Sequence, residues 1–501
     1  VELFSMDIYL EGLKYFSNPM MFLFSGFGVL IGIIFGSLPG LTATMTIAVF
    51  ISFTFGIDAT LSFAFLLGLY TGAVYGGSVA AILINIPGTP NAIATGLDGY
   101  PLCQKGKAGQ AIGIATVSSA IGGILSVFVL AIAAPMVASV ALKFSAQEYV
   151  GITLIGLSII AIISTGSMLK GLIGGLLGLV IGVIGMDPIT NFPRFLFGQP
   201  ELIEGVSSIP VMIGLYGISE MLMQISEEEH GVVIDQAVKD IIPSFSDIKR
   251  LLPTITRSSI IGVIIGAIPA AGGSIAALVA YGQEKRFSKH PELLGTGIID
   301  GIAAPEAANN ASTGGALMPM LTLGIPGDPM TAVLMGGLIM QGLRPGPLLF
   351  KQQMPFVSSI FLSLLLSVIF MLVFGLFGAK YFARLITVKK QYLIPSIMIF
   401  CLVGSYAINN STFDIWILLI SGLIGFFLRK VGFSPAPIVL GLILGPIFES
   451  NLRRALILAD GQWSTFVTRP ISLFFLILTL ILLFGPFIWN LIKGDKSTDI
   501  I

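Results

Sequence analysis

Two groups of neutral polar side chains stand where an otherwise apolar chain is broken by proline and glycine. The first holds Thr42, Thr44 and Thr46, then Ser78, Asn85, Thr89 and Asn91. The second holds Ser274, Asn309, Asn310, Ser312, Thr313, Thr322 and Asp328. A helix N-terminus facing a break presents unpaired N–H groups and a positive dipole end, which suits an anion. Hydroxyls, amide oxygens and unwound carbonyls suit a hard cation such as Na⁺. Together they would hold a carboxylate with a coupling ion, Na⁺ or H⁺. On this reading the anion falls to Thr42, Thr44, Ser78, Asn85, Pro87, Gly88, Thr89, Asn91, Gly314, Pro326 and Gly327. The ion falls to Asn309, Asn310, Ser312, Thr313 and Asp328. The plainer alternative is that these residues glue membrane helices together by hydrogen bonds.

Three acids, Asp300, Glu306 and Asp328, lie in or beside apolar stretches, where carboxylates are candidates for cation or proton sites. Asp300 also suits an interface, with Lys289 and Glu292 near in sequence. Catalysis finds no support. His230 and His290 lie in charged loops, no His-Glu-x-x-His occurs, and Cys103 and Cys401 give neither metal spacing nor a disulfide framework. Gly76-Gly77-Ser78 superficially resembles a serine elbow, but no intramembrane His or Lys is there to activate it. No enzyme activity and no organic cofactor are expected.

The elements that must position these groups are broken helices. Ile86-Pro87-Gly88-Thr89-Pro90 and Ile325-Pro326-Gly327-Asp328-Pro329 interrupt apolar runs, because proline removes a backbone donor and clashes with the preceding turn. Non-helical backbone survives at membrane depth only when buried in protein or lining a wet cavity. Paired breaks in corresponding positions of two halves point to a transporter's binding site. The correspondence extends further. Gly36-Ser37-Leu38-Pro39-Gly40 answers Gly266-Ala267-Ile268-Pro269-Ala270, Gly76-Gly77-Ser78 answers Gly314-Gly315-Ala316, and Pro210-Val211-Met212-Ile213-Gly214-Leu215 answers Pro437-Ile438-Val439-Leu440-Gly441-Leu442. Matches in one order at similar separations indicate duplication rather than chance.

With 55% hydrophobic and only 10% charged residues, the chain lies far from a soluble globule, in which about a quarter is charged. Its apolar runs are continuous and do not alternate, which excludes a β-barrel. The class is an all-α polytopic membrane protein, with about 10–12 transmembrane helices plus re-entrant or broken helices. Candidate segments are 20–56, 59–86, 109–141, 148–166, 168–187, 207–225, 256–282, 297–325, 329–343, 355–388, 392–409, 412–428, 433–448 and 470–492. The domains read as a first membrane repeat 1–225, a polar connector 226–257, a second membrane repeat 258–450, and a C-terminal extra helix and tail 451–501. The connector opens with Glu227-Glu228-Glu229-His230; a solvated linker is the plain reading and partner docking the alternative. Val1-Glu2-Leu3 does not resemble the basic start of a cleavable signal, so the first apolar run is expected to stay as a membrane helix. A net charge of zero gives no sign of nucleic-acid binding.

Basic clusters Lys285-Arg286…Lys289, Lys380…Arg384…Lys389-Lys390 and Arg429-Lys430 have nearly bare first-half counterparts at Asp58, Lys143 and Gly185-Met186-Asp187. Conversely, Lys170 has no basic counterpart in Asn409-Asn410-Ser411-Thr412. Equivalent loops of opposite basic content belong on opposite faces, which favours inverted repeats with the second-half clusters and Lys493 in the cytoplasm. Lys105 and Lys107 cut against this, because their counterparts Arg344 and Lys351 are basic too.

Gly68-Leu69-Tyr70-Thr71-Gly72-Ala73-Val74-Tyr75-Gly76-Gly77-Ser78, running into Asn85-Ile86-Pro87-Gly88-Thr89-Pro90 and followed by Asp98-Gly99-Tyr100-Pro101 and Lys105-Gly106-Lys107-Ala108, resembles the large membrane subunit of tripartite tricarboxylate transporters. So does Pro305-Glu306-Ala307-Ala308-Asn309-Asn310-Ala311 leading to Gly324-Ile325-Pro326-Gly327-Asp328. The resemblance covers about residues 20–450. It implies a multi-pass subunit of the bacterial inner membrane, a secondary transporter that imports tri- or dicarboxylates with Na⁺ or H⁺. The implied partners are a small membrane subunit and a periplasmic solute-binding protein. The alternative is a passive channel or a scaffold subunit of another complex, but a pore should show a polar stripe along one helix face rather than polarity gathered at two breaks.

Overall fold

Apolar runs end wherever proline, glycine or a capping side chain stops them, and the helices follow that punctuation. In the computed structural model of the chain, the described residues are 12, 14, 17–163, 168–187, 189–226, 238–269, 271–386 and 388–493. Val1-Glu2-Leu3, Glu227-Glu228-Glu229-His230 and Ala270 lie outside them. The helices are α1 (Pro19–Ser37), α2 (Ala43–Phe50), α3 (Ala59–Ile84), α4 (Ile93–Gln104), α5 (Ala108–Ala141), α6 (Ala146–Ile163), α7 (Met168–Gly182) and α8 (Ser208–Ser226). After these come α9 (Phe245–Gly266), α10 (Gly272–Phe287), α11 (Asp300–Leu323), α12 (Pro329–Met340), α13 (Pro347–Gln352) and α14 (Met354–Leu385). The last are α15 (Lys390–Asn409), α16 (Thr412–Lys430), α17 (Pro435–Leu458), α18 (Thr465–Thr468) and α19 (Pro470–Lys493). One two-stranded ribbon pairs Gly185–Met186 with Pro193–Arg194.

Among the described residues, eight helices are long and apolar enough to cross a membrane: α1, α3, α5, α8, α14, α15, α16 and α17. Four shorter apolar stretches, Ala43–Thr54, Met168–Gly182, Pro329–Met340 and Pro470–Gly485, accompany them. Short apolar helices beside prolines are what interrupted spans should leave behind. The second part of the polar stretch 226–257 is helical: Ser244 caps α9 by accepting from Asp247 N at 3.1 Å. Its charges line an amphipathic surface while Leu251 and Ile255 are buried.

The chain forms two compact units, and each draws on both halves of the sequence. The first comprises 1–138 and 220–400. Its centre is α3, 94% buried over its apolar window. Gly28, Gly32 and Gly36 of α1 meet Gly68, Gly72 and Gly76 of α3 with no side chain between. A Cβ on Gly32 would stand 2.5 Å from the Leu69 carbonyl oxygen and 3.0 Å from Gly72 Cα. Small residues at four-residue spacing permit this backbone approach. The second half repeats the pairing, with Gly262 and Gly266 of α9 against Ala308, Ser312 and Gly315 of α11. Contacts then cross between the halves reciprocally. The segment after the first Ile-Pro-Gly break packs on α10, and the segment after the second packs on α2.

The second unit, 139–219 and 401–501, is built on the same exchange. First-half α7 packs on second-half α17, and second-half α16 packs on the π-helical stretch Gly214–Ile218 of first-half α8. Gly178 lies against Ile438 and Leu442, and Gly441 against Gly175 and Leu179. The ribbon is tied down by ion pairs: Asp187 and Glu449 hold Arg194 at 3.6 and 2.7 Å, and Asp187 holds Arg453 at 2.6 Å.

Candidate functional site

The first break begins where α3 ends, at Asn85 in the left-handed region (φ 56°). Gly88 N donates to the Gly77 carbonyl at 3.2 Å, and a Cβ on Gly88 would collide with the Gly36 carbonyl. Only glycine fits there. Thr89 follows in extended conformation and begins the 3₁₀ turn Pro90–Ala92 that leads into α4. Its hydroxyl caps nothing: Thr89 Oγ1 is buried and has no partner among the described residues. Ala92, before α4, has no side chain to cap with.

Asn91 reaches the start of α10, where Ser274 Oγ donates to Asn91 Oδ1 at 2.6 Å. Gly273 marks the meeting point. A Cβ there would stand 2.5 Å from Asn91 Nδ2, 2.6 Å from Asn309 Oδ1 and 2.9 Å from Ser312 Oγ. Asn309 is fully buried, and neither end of its amide has a partner among the described residues. Ala271, at the N-cap of α10, supplies no capping hydrogen bond. This junction therefore joins two helix starts without side-chain caps to buried amides and hydroxyls from both halves of the chain. Buried polar groups nearly always have partners, so a cluster without them calls for an explanation.

The second break ends α11 at Gly324 (φ 71°), where Gly324 N donates to Met320 O at 3.2 Å and Ile325 N to Pro319 O at 3.3 Å. Here the caps are complete. Asp328 caps α12: Thr331 N donates to Asp328 Oδ1 at 2.7 Å, and Asp328 N donates back to Thr331 Oγ1 at 2.9 Å. Tyr70 Oη donates to Asp328 Oδ2 at 2.8 Å. Thr42 caps α2 by accepting from Met45 N at 3.2 Å.

The candidate residues thus fall into distinct places. Thr89, Asn91, Asn309 and Ser312 belong to this junction, open in the sense that its helix starts have no side-chain caps, and Gly88 shapes the turn that leads to it. Asp328 lies beside it, its Cβ 3.6 Å from the place of a Cβ on Gly272. Asn85 is exposed, Pro87 half-buried and Pro326 buried, and Gly327 packs on Ala316 of its own break. Thr42 is occupied as a cap, and Thr44 lies in the first turn of the helix it caps. Gly314 faces Ser126 of α5. Ser312 and Thr313 donate back to Asn309 O and Asn310 O, each at 2.7 Å. Ser78 donates to Glu306 Oε1 at 2.5 Å.

Glu306 carries more than its place in an apolar run suggested. It also accepts from Thr95 to Oε1 and from Ser119 to Oε2 at 2.8 Å, so hydroxyls from α3, α4 and α5 converge on it. Asn310 Nδ2 donates in turn to Ser119 Oγ at 2.8 Å. Helical spacing was the available signal, since Glu306 lies one turn before Asn309 and Asn310, and Thr95 one turn after Asn91. Nothing in the local sequence marked Gly273. Asp300 pairs with exposed Arg250 at 2.8 Å.

The chain is 38% identical over 455 residues, 91% of each chain, to an uncharacterised 52.8 kDa protein in the TAR-I ttuC' 3' region of Agrobacterium vitis. It is also 38% identical over 211 residues to an uncharacterised protein in the TAR-II ttuC' 3' region of the same organism, covering 42% of this chain and 87% of that one. No solved structure matches it. Residues 22–440 match the tripartite tricarboxylate transporter TctA family. The chain belongs to that family and is a multi-pass membrane component of tricarboxylate transport, a transporter protein rather than an enzyme.

Proposed function

We propose that this chain imports tri- or dicarboxylates across the bacterial inner membrane, and that the carboxylate binds at the open junction between Asn91 and Asn309. The observation that carries this reading is the pairing of two helix starts without side-chain caps with buried amide groups that have no partner among the described residues. Helix N-termini and amide N–H groups are the donors a carboxylate needs, and each terminus contributes roughly half a positive charge. Among the described residues no Lys or Arg stands at the junction, so a multiply charged anion calls for a compensating cation. Import therefore couples to Na⁺ or H⁺, and the buried oxygens of Asn309, Asn310, Ser312, Thr313 and Asp328 are the donor set for a metal ion. The reciprocal packing of the halves and the opposite basic content of equivalent loops support inverted repeats. A periplasmic solute-binding protein delivers the substrate, and a small membrane subunit completes the transporter.

Gly273→Ala is the sharpest test. Alanine favours a helix over glycine by about 1 kcal/mol, but its methyl group would stand 2.5 Å from Asn91 Nδ2, 2.6 Å from Asn309 Oδ1 and 2.9 Å from Ser312 Oγ, so those side chains must shift and the melting temperature is measured beside transport to show that the protein stays folded. Citrate uptake into proteoliposomes holding the complete transporter should be lost. Undiminished uptake would refute the placement.

A further inference from the structure

The two helices that start at the open junction touch twice. Asn91, just before α4, meets Ser274 of α10, whose Oγ donates to Asn91 Oδ1 at 2.6 Å. Seven residues further along each segment, Tyr281 Oη of α10 donates to Asp98 Oδ2 of α4 at 2.9 Å. Equal spacing on both sides means that α4 and α10 run parallel, with the second contact two turns from the first. Parallel helices bring their N-terminal ends together, each carrying about half a positive charge, and like ends repel. Neither end has a side-chain cap.

Asp98 opposes that repulsion with more than one bond. It is fully buried, and its Oδ1 accepts from Gly295 N at 3.0 Å, Gly297 N at 2.7 Å and Ile298 N at 3.0 Å. These amides belong to the loop between α10 and α11, so a single carboxylate ties α4 to both helices of the second half. The loop is shaped for the tie. Gly295 and Gly297 stand at φ 89° and 97°, which glycine adopts without strain, and a Cβ on Gly301 would collide with the carboxylate. Just past the end of α4, Lys105 Nζ donates to Thr296 O of the same loop at 2.7 Å.

The corresponding place at the other junction has no such tie. Gly337 lies ten residues after Gly327, as Asp98 lies ten after Gly88, and Ile51 lies twelve after Pro39, as Tyr281 lies twelve after Pro269. Gly337 and Ile51 do meet: a Cβ on Gly337 would stand 3.3 Å from Ile51 Cδ1. That contact is apolar, and the helix starts there are capped by Asp328 and Thr42. The polar clasp thus belongs to the junction whose helix starts lack caps.

We propose that Asp98 is a positioning residue of the transporter: by clasping α4 to α10 and α11 it holds the two uncapped helix starts, with Asn91 and Asn309, at the spacing a carboxylate requires before the carboxylate arrives. Asp98 touches no substrate and acts through the elements that do. Without the clasp the two starts move apart, and citrate must bring them back. Apparent affinity then falls by the fraction of molecules in which they are already together. The saturated transporter has its helix starts held by citrate itself, so its turnover is spared. This assignment rests on the open junction being the carboxylate site.

Citrate binding and uptake by the purified complete transporter test it. Asp98→Cys removes every bond of the clasp and should weaken citrate binding about tenfold or more, raising the KM of uptake and sparing its maximal rate. Asp98→Asn keeps one oxygen for the amides and offers an N–H to the Tyr281 hydroxyl, so it should recover most of that loss. Pairing Asp98→Cys with Gly301→Cys replaces the carboxylate by a covalent tie. A Cβ on Gly301 would stand 3.0 Å from Asp98 Cβ, close to the separation of about 3.5–4.5 Å in a disulfide. Oxidation of the pair should restore citrate affinity and reduction should remove it, whereas Asp98→Cys alone responds to neither. Asp98→Cys that melts earlier yet binds citrate as wild type does overturns the proposal and leaves Asp98 a staple of the fold. Affinity of the pair that ignores reduction overturns it too. If Asp98→Cys does not fold, Tyr281→Phe decides: it breaks the α4–α10 bond alone and should weaken citrate about fivefold, and unchanged affinity overturns the proposal. In all these cases wild-type protein binds citrate and the site reading stands. Wild-type protein that binds no citrate overturns both.

Discussion

The junction of the first break with α10 and the junction of the second break with α2 are made from corresponding pieces, yet one is closed and the other open. At the closed junction Asp328 caps α12 and Thr42 caps α2. At the open one Thr89 stands where Asp328 would be, capping nothing, and Gly272 stands where Thr42 would be. The closed junction contains its own carboxylate, held by an amide and by Tyr70. The open junction has the helix starts and the amides without the carboxylate. Two side chains, Thr89 for Asp328 and Gly272 for Thr42, separate the two junctions, and on the proposed function they leave one of them for an external ligand.

That comparison can be broken most decisively by giving the open junction a carboxylate of its own. Thr89→Asp should occupy the donors that the substrate needs, so citrate uptake should fall to background while the protein stays folded, as judged by its melting temperature. Uptake near wild type would show that the two junctions are not equivalent frames. Asn309→Ala should come next. Its amide makes no internal bond, so stability should hardly move, whereas loss of a hydrogen bond to a charged group, worth about 1.5–3 kcal/mol, should weaken citrate binding roughly 10- to 150-fold. A large drop in melting temperature with unchanged affinity would mark Asn309 as helix glue instead.

At the closed junction the expected effects reverse. Asp328→Ala removes a cap and should cost about 0.5–2 kcal/mol of stability, with substrate selection retained. Asp328→Asn keeps a capping oxygen and removes the charge, so it separates the two roles: cation dependence of uptake should weaken more than selection among carboxylates. The smallest effect belongs to the second unit. Backbone amides of Thr190 and Ile189, with Arg453, hold the Asp187 carboxyl down to about 2. A lowered folded-state value stabilises above the unfolded value of 3.8 and loses that contribution as pH falls through about 2. Hydrogen exchange at Ile189 and Thr190 should therefore stay protected well below pH 4 and open only as the pH approaches about 2. Opening near neutrality would contradict this, and would let the ribbon contribute to the pH dependence of transport.

Much of this was legible in the sequence, for physical reasons that can be named. Proline and glycine act locally, so the breaks at 36–40, 85–90, 266–270 and 324–329 announced themselves, and helix limits such as Ala59–Ile84 followed. Burial of Asn309 and Asn310 in an apolar run was equally readable. The division of labour was not. Whether Ser78 faces the junction or Glu306, and whether Thr42 caps a helix or binds a ligand, depends on how first-half and second-half pieces cross. Local sequence carries no signal for that crossing. Gly273 is the clearest case: in a chain with 60 glycines, only the convergence of Asn91, Asn309 and Ser312 distinguishes it.

The ladder between α1 and α3 has a mechanical consequence. Where Gly28, Gly32 and Gly36 meet Gly68, Gly72 and Gly76, backbone rests on backbone with no rotamers between to cushion a displacement. Sliding α3 by one residue would bring Leu67 or Leu69 to the place of Gly68, a position that tolerates only hydrogen. The pair is thus a strut of fixed register, and the Tyr70 hydroxyl and Ser78, both on α3, keep a constant spacing along it. Any rearrangement that carries a carboxylate across the membrane must move that strut whole, concentrating the flexing in the Pro-Gly turns at its ends.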